Sequence, residues 1–171
     1  GIEQDFKASA AQLEAAITDK TKAIIYSSPC NPSGAVFNKT ELEGIAEVVL
    51  RHENIMVIAD EIYEYINFSG KHESIASFPG MFERTVTVNG FSKGHAMTGW
   101  RVGYICAPEW LVKAVNKLQG QTTSGICSIA QRAAIAAVEG DMEPTHEMAG
   151  AYKRRRQLVL DLLASLMEKQ Q

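Results

Sequence analysis

Cysteine is scarce and badly placed for pairing: Cys30, Cys106 and Cys127 are odd in number, far apart and without a CxxC spacing. That argues against a disulfide framework or a cysteine zinc site, and it suits a chain kept in a reducing cytoplasmic compartment. His52, His72, His95 and His146 show no ligand spacing either, so no metal is expected. Positive charge is not in excess, since the formal net charge is -3, which leaves no general basic field for nucleic acid or an anionic membrane surface. The run Lys153-Arg154-Arg155-Arg156 reads as a solvated helix face. No apolar run approaches bilayer length, and Gly1-Ile2-Glu3-Gln4-Asp5 lacks a basic stretch followed by an apolar one. The expectation is a soluble, unexported protein with a small-molecule partner.

What is present is an ordinary globular composition, 171 residues with 46% hydrophobic and 22% charged, enough for one core and little more. Ser9 with Gln12 is a capping-box pattern ahead of Leu13, Ala16 and Ile17, and Thr40 with Glu43 repeats it ahead of Leu42, Ile45, Ala46 and Val49. Between and beyond these helices lie three short apolar runs, Ala23–Tyr26, Ile55–Ala59 and Thr85–Val88, of the kind a parallel sheet buries on both faces. Val102–Cys106 forms a fourth strand. Its connection from Gly90 is too short for a crossover helix, so it is expected to run antiparallel. Two helices follow, one opened by Pro108 with Leu111, Ala114, Val115 and Leu118 on a face, the other marked by Ile126, Ile129, Ala130 and Ala133. A last helix from about His146 carries Val159, Leu162, Leu163, Leu166 and Met167 as its stripe. The fold class is α/β, a mostly parallel sheet flanked by helices with one antiparallel strand.

Each parallel strand delivers a polar motif at its carboxyl end: Asn31-Pro32-Ser33-Gly34, then Asp60-Glu61-Ile62-Tyr63, then Gly90-Phe91-Ser92-Lys93 running on to Gly99-Trp100-Arg101. Parallel sheets bind ligands in the crevice at that edge, and the antiparallel strand brings Arg101 back to it. An amide, a carboxylate, a phenol, an amine and a guanidinium therefore converge.

These motifs, in this order, resemble the class I/II aminotransferases of fold type I, most closely the bacterial aspartate aminotransferase-like branch. Gly90 to Gly103 agrees with that family's lysine signature at every restricted position. The resemblance implies pyridoxal 5'-phosphate as cofactor, with Lys93 forming the Schiff base and moving the substrate proton. Asp60 would pair with the pyridine nitrogen, and Tyr63 and Asn31 would donate to the phenolic oxygen. Arg101 would hold the phosphate as a planar fork; Ser92 either binds phosphate or caps the turn. The implied partners are an amino acid and a 2-oxo acid, aspartate or an aromatic amino acid with 2-oxoglutarate at family level, on a homodimer in the full-length form. Residues 1–145 would be a cofactor-binding segment of the large domain, and 146–171 a helix leading toward a small domain that is absent.

The chain departs from the family at three positions. Gly90 stands where many relatives place a phosphate-binding serine, and Gly94-His95 replaces a small or hydroxyl residue followed by an aromatic. His95 reads as a packing or solvent-facing replacement for that ring rather than an acid/base group. Family subunits are more than twice this long, so the expectation is a partial subunit with two open sheet edges. Three readings stay open: an aminotransferase core, a catalytically inactive fragment or interaction module, and a lyase or synthase on the same scaffold.

Overall fold

In the computed structural model, which describes residues 1–168, two capping boxes start the first two helices. Helix α1 (Ala10–Ala16) begins at Ser9, whose Oγ accepts from the Gln12 amide at 3.2 Å while Gln12 Oε1 accepts from the Ser9 amide at 2.9 Å. Helix α2 (Lys39–Arg51) does not begin at Thr40. Its cap is Asn38, whose Oδ1 accepts from the Glu41 amide at 3.0 Å, with Glu41 Oε2 accepting from the Asn38 amide at 2.7 Å. Both spacings fit the pattern; Asn caps better than Thr, and Glu41 is held in addition by Lys7 Nζ at 2.6 Å.

Strands β1 (Ala23–Ser27), β2 (Met56–Asp60), β3 (Thr85–Gly90) and β4 (Gly103–Cys106) lie side by side in sequence order. The first three are parallel and β4 is antiparallel to β3, with Gly90 opposite Gly103. The core gathers on one face of the sheet, where Leu42, Ile45, Ala46 and Val49 of α2 pack with Val57 and Ala59 of β2 and with Ile75 and Met81. The alternate residues of the same strands are not sealed: Ile25 is 73% exposed, and Met56 and Ile58 are only half-buried. Burial on both faces, expected from the continuous apolar runs, is met at the start of β3, where Thr85 and Val86 are both buried, but not in β1 and β2, because α2 covers a single side.

Helix α3 (Glu109–Thr122) starts after Pro108 but buries no residue, and Leu118 on its expected stripe is 67% exposed. In α4 (Ser128–Glu139) the packed face is Ala130 and Ala134 against Phe91 and Val102, with Ile126 and Ala137 beside them, while Ile129 points away. Small side chains suit that face, which meets Phe91 two residues before Lys93. Helix α5 (Glu143–Glu168) begins three residues ahead of the expected His146, and buried Thr145 donates its hydroxyl to the Gly94 carbonyl at 2.9 Å. Its stripe from Val159 to Met167 is exposed; the last three residues of the 146–171 segment lie outside the described residues. Among the described residues no helix is long and apolar enough to cross a membrane.

Replacing fully buried Leu42 by Ala should cost about 2–5 kcal/mol in urea unfolding. Asn38→Ala should cost about 1 kcal/mol and Thr40→Ala less than about 0.5 kcal/mol, the reverse of what the second Thr-x-x-Glu spacing alone suggests.

Candidate active site

The loop after β1 closes on itself before it reaches the site. The Cys30 amide donates to the Ala35 carbonyl at 2.9 Å and the Gly34 amide to the Cys30 carbonyl at 2.8 Å, with Gly34 at φ +72°, a conformation glycine adopts without a Cβ penalty. This turn presents Asn31, whose Nδ2 donates to the Tyr63 hydroxyl at 3.3 Å. Asp60 ends β2 in register with Ser27 and Val88, and its Oδ1 accepts from the Ile62 amide at 3.2 Å, turning the chain toward Tyr63. Lys93 arrives from the third strand, half-buried, with Nζ 5.7 Å from the centroid of the Tyr63 ring. Among the described residues no carboxylate pairs with it.

Tyr63 stands between two adjoining hollows. One, of about 760 Å³, is lined by Ser92, Lys93, Ala96 and Thr98 on the sheet side and by Tyr152, Arg155, Arg156, Val159 and Leu160 of α5. The other, of about 420 Å³, is lined by Asn31, Pro32 and Gly34, and Ile66, Phe68 and Arg156 border both. Arg101 lies apart: its Nη1 donates to the Thr98 carbonyl at 2.9 Å and it lines neither hollow. The structure thus brings Asn31, Tyr63, Ser92 and Lys93 together, sets Asp60 at the neighbouring strand end, and leaves Arg101 folded on the rim. Ala96 (φ 53°) and Arg101 (φ 56°) are non-glycine residues in the left-handed region, so the lysine loop is held in a strained path by its surroundings.

The departures at the lysine loop have local causes. A Cβ on Gly90 would lie 2.9 Å from both the Gly103 Cα and the Val102 carbonyl oxygen, so position 90 has no room for a side chain on this backbone. A Cβ on Gly94 would lie 2.5 Å from the Tyr65 ring. His95 packs edge-on to Tyr65 at 5.8 Å and tilted on Phe91 at 5.3 Å, and both its ring nitrogens are buried without a partner among the described residues. It fills space, as expected for a substitute aromatic.

Two sets of residues were missed from the sequence. Arg155 and Arg156, assigned there to a solvated face, are exposed yet border the hollows; the signal was the helical spacing of Tyr152, Arg155, Arg156, Val159 and Leu160 on one side of α5. The second set is a polar cluster behind Tyr63. Glu61, 4% exposed, bonds His72 Nε2 at 2.8 Å and accepts from Ser74 Oγ at 2.7 Å, and Glu64 accepts from Asn89 Nδ2 at 2.8 Å. Burial of the His72 ring opposes its protonation, but the bond to Glu61 and the negative field of Glu61, Glu64 and Glu73 outweigh that and raise its pKa.

A family model described as aminotransferase class I and II matches residues 2–170. The chain belongs to that family. Among relatives of this class I/II aminotransferase chain, a bifunctional aspartate aminotransferase and glutamate/aspartate-prephenate aminotransferase of Petunia hybrida is 51% identical over 138 residues, 80% of this chain and 29% of that protein. An aspartate aminotransferase of Bacillus subtilis (strain 168) is 47% identical over 158 residues, 91% of this chain and 40% of the relative. The aspartate aminotransferase from Rhizobium meliloti superposes with a TM-score of 0.93 at 39% identity, over 96% of this chain and 42% of that one. For the aromatic aminotransferase from Pyrococcus horikoshii OT3 the TM-score is 0.91 at 43% identity, over 96% and 45%. The chain therefore spans less than half the length of each of these relatives, and its mixed sheet flanked by helices is the fold type I architecture they share.

Because the His72 pKa is raised on folding, the pair with Glu61 stabilises the fold fully below the ordinary histidine value of about 6.5 and is lost as pH rises through the raised value. Thermal unfolding from pH 5.5 to 8.5 should show that decline in the unmodified chain, and His72→Leu should remove it.

Proposed function

We propose that the chain is the lysine-bearing part of a pyridoxal-phosphate-dependent aminotransferase that exchanges an amino group between an amino acid and a 2-oxo acid. The observation that carries this reading is Lys93, unpaired among the described residues and lining a cavity beside Tyr63 and its Asn31 partner. The donor set fits the cofactor: one amine, one strand-end carboxylate, a phenol joined to an amide, a hydroxyl at Ser92, and a guanidinium one short loop away. Pyridoxal phosphate, when bound, supplies an electron sink for the charge left when an amino acid loses its α-proton.

The residues present would do the rest. Lys93 Nζ would attach the cofactor and then carry the proton, with Arg155 and Arg156 lining the same hollow. Asp60 would hold a proton on the pyridine nitrogen, its second oxygen being free of the Ile62 bond. Tyr63 and Asn31 would donate to the phenolic oxygen, while Ser92 and Arg101 would meet the phosphate, Arg101 after exchanging the Thr98 carbonyl for it. We further propose that residues 1–145 serve the cofactor and that 146–171 is a connecting helix. The full-length form is proposed to act as a homodimer in the cytoplasm, with aspartate or an aromatic amino acid as amino donor, in keeping with the relatives' names.

Mixing the chain with pyridoxal phosphate, reducing with borohydride and mapping peptides by mass spectrometry should place a stoichiometric label on Lys93 that Lys93→Ala abolishes. Label scattered over surface lysines would overturn the reading for this chain. Tyr63→Phe should weaken cofactor retention by roughly three- to tenfold, the worth of one hydrogen bond of about 1 kcal/mol, measured by equilibrium dialysis.

A further inference from the structure

The segment from Glu61 to Ser74 carries Tyr63, Ile66 and Phe68, the wall shared by both hollows, yet between its ends none of its residues is fully buried. It has no apolar core of its own to fix its path. Its first turn is held locally, with the Glu64 amide donating to the Glu61 carbonyl and the Ile66 amide to the Tyr63 carbonyl. Beyond that turn, Glu64 accepts from Asn89 Nδ2 at 2.8 Å and Tyr65 packs edge-on to His95, while Glu61 links the two ends of the segment. The Glu61 amide ties the near end to β3 through the Val88 carbonyl at 2.9 Å. Its carboxylate spans to the far end, using one oxygen on His72 Nε2 and the other on Ser74 Oγ, next to Ile75, which is fully buried in the core. A carboxylate this buried is retained when both oxygens are bonded, as they are here.

We propose that Glu61 is a positioning residue of the pocket: by closing the 61–74 segment through His72 and Ser74, it holds the Tyr63 hydroxyl at Asn31, where it can donate to the cofactor. This rests on the reading that the Lys93 pocket takes pyridoxal phosphate, and it assigns Glu61 a role through Tyr63 rather than contact with the cofactor. Glu61 directly follows Asp60, so one strand end supplies both a candidate cofactor-binding carboxylate and the carboxylate that shapes the wall beside it.

The first test needs no cofactor. In the chain labelled at asparagine side chains, the Asn31 amide resonance, assigned by Asn31→Asp, should move in Tyr63→Phe. It should move the same way in Glu61→Gln and His72→Leu, and return in His72→Gln, which restores an N–H donor to Glu61. With the cofactor bound, the pH midpoint of its visible band should shift in Glu61→Gln in the same direction as in Tyr63→Phe, by about half a pH unit or more. An Asn31 resonance unmoved in folded Glu61→Gln and His72→Leu, but moved in Tyr63→Phe, would overturn the proposal and leave Glu61 a purely structural group. If Glu61→Gln does not fold, His72→Leu and its His72→Gln rescue decide the same question. Borohydride labelling of the unmodified chain separates the two claims: its absence at Lys93 removes the cofactor reading, while the Asn31 resonance still decides whether Glu61 sets Tyr63.

Discussion

Where β3 meets β4, the backbone of Gly90 lies so close to Gly103 that a Cβ at position 90 would stand 2.9 Å from the Gly103 Cα. On this backbone position 90 takes no side chain, and Gly90 stands opposite Gly103, where a Cβ would meet only the Asn89 carbonyl oxygen at 3.2 Å. The contact lets β4 return antiparallel directly after the lysine loop. Phe91, Ser92 and Lys93 then leave the sheet at the edge where β1 and β2 deliver Asn31 and Asp60, and the chain re-enters at Arg101, which is turned onto the Thr98 carbonyl. The same contact removes any side chain from position 90, so a hydroxyl for the phosphate has to come from Ser92 or elsewhere.

Stability and site are built by different forces in different places. Apolar burial is concentrated under α2, on the face of β2 that carries Val57 and Ala59. The hollows lie at the strand ends, and their walls are set by polar bonds: Asn31 to Tyr63, Glu61 to His72 and Ser74, and Thr145 to Gly94. The last of these is the one by which α5 is seated on the lysine loop, which explains how a helix so exposed along its length still borders the cavity with Tyr152, Arg155 and Arg156.

The strands, their order of appearance, the antiparallel return and the three strand-end motifs were legible because each rests on local physics: apolar runs of strand length, a connection too short for a helix, and polar residues at carboxyl ends. The cap of α2 was misplaced by two residues because Asn38-x-x-Glu41 and Thr40-x-x-Glu43 satisfy one pattern, and what separates them is the better capping of Asn38 together with the pull of Lys7 on Glu41. The packed face of α4 was read in part: Ile126 and Ala130 pack against Phe91 and Val102 as expected, whereas Ile129 is exposed and Ala134 is buried there in its stead.

By itself the sequence determined which chemical groups exist and the order in which the strands deliver them, since periodicity and motif spacing act over a few residues. Tertiary structure decided which of those groups meet: that Tyr63 bonds Asn31 across 32 positions, that Arg101 turns onto Thr98, and that Glu61 reaches His72 and Ser74. The physical reason is that such contacts depend on where the backbone places side chains distant in sequence, and no local propensity encodes that placement.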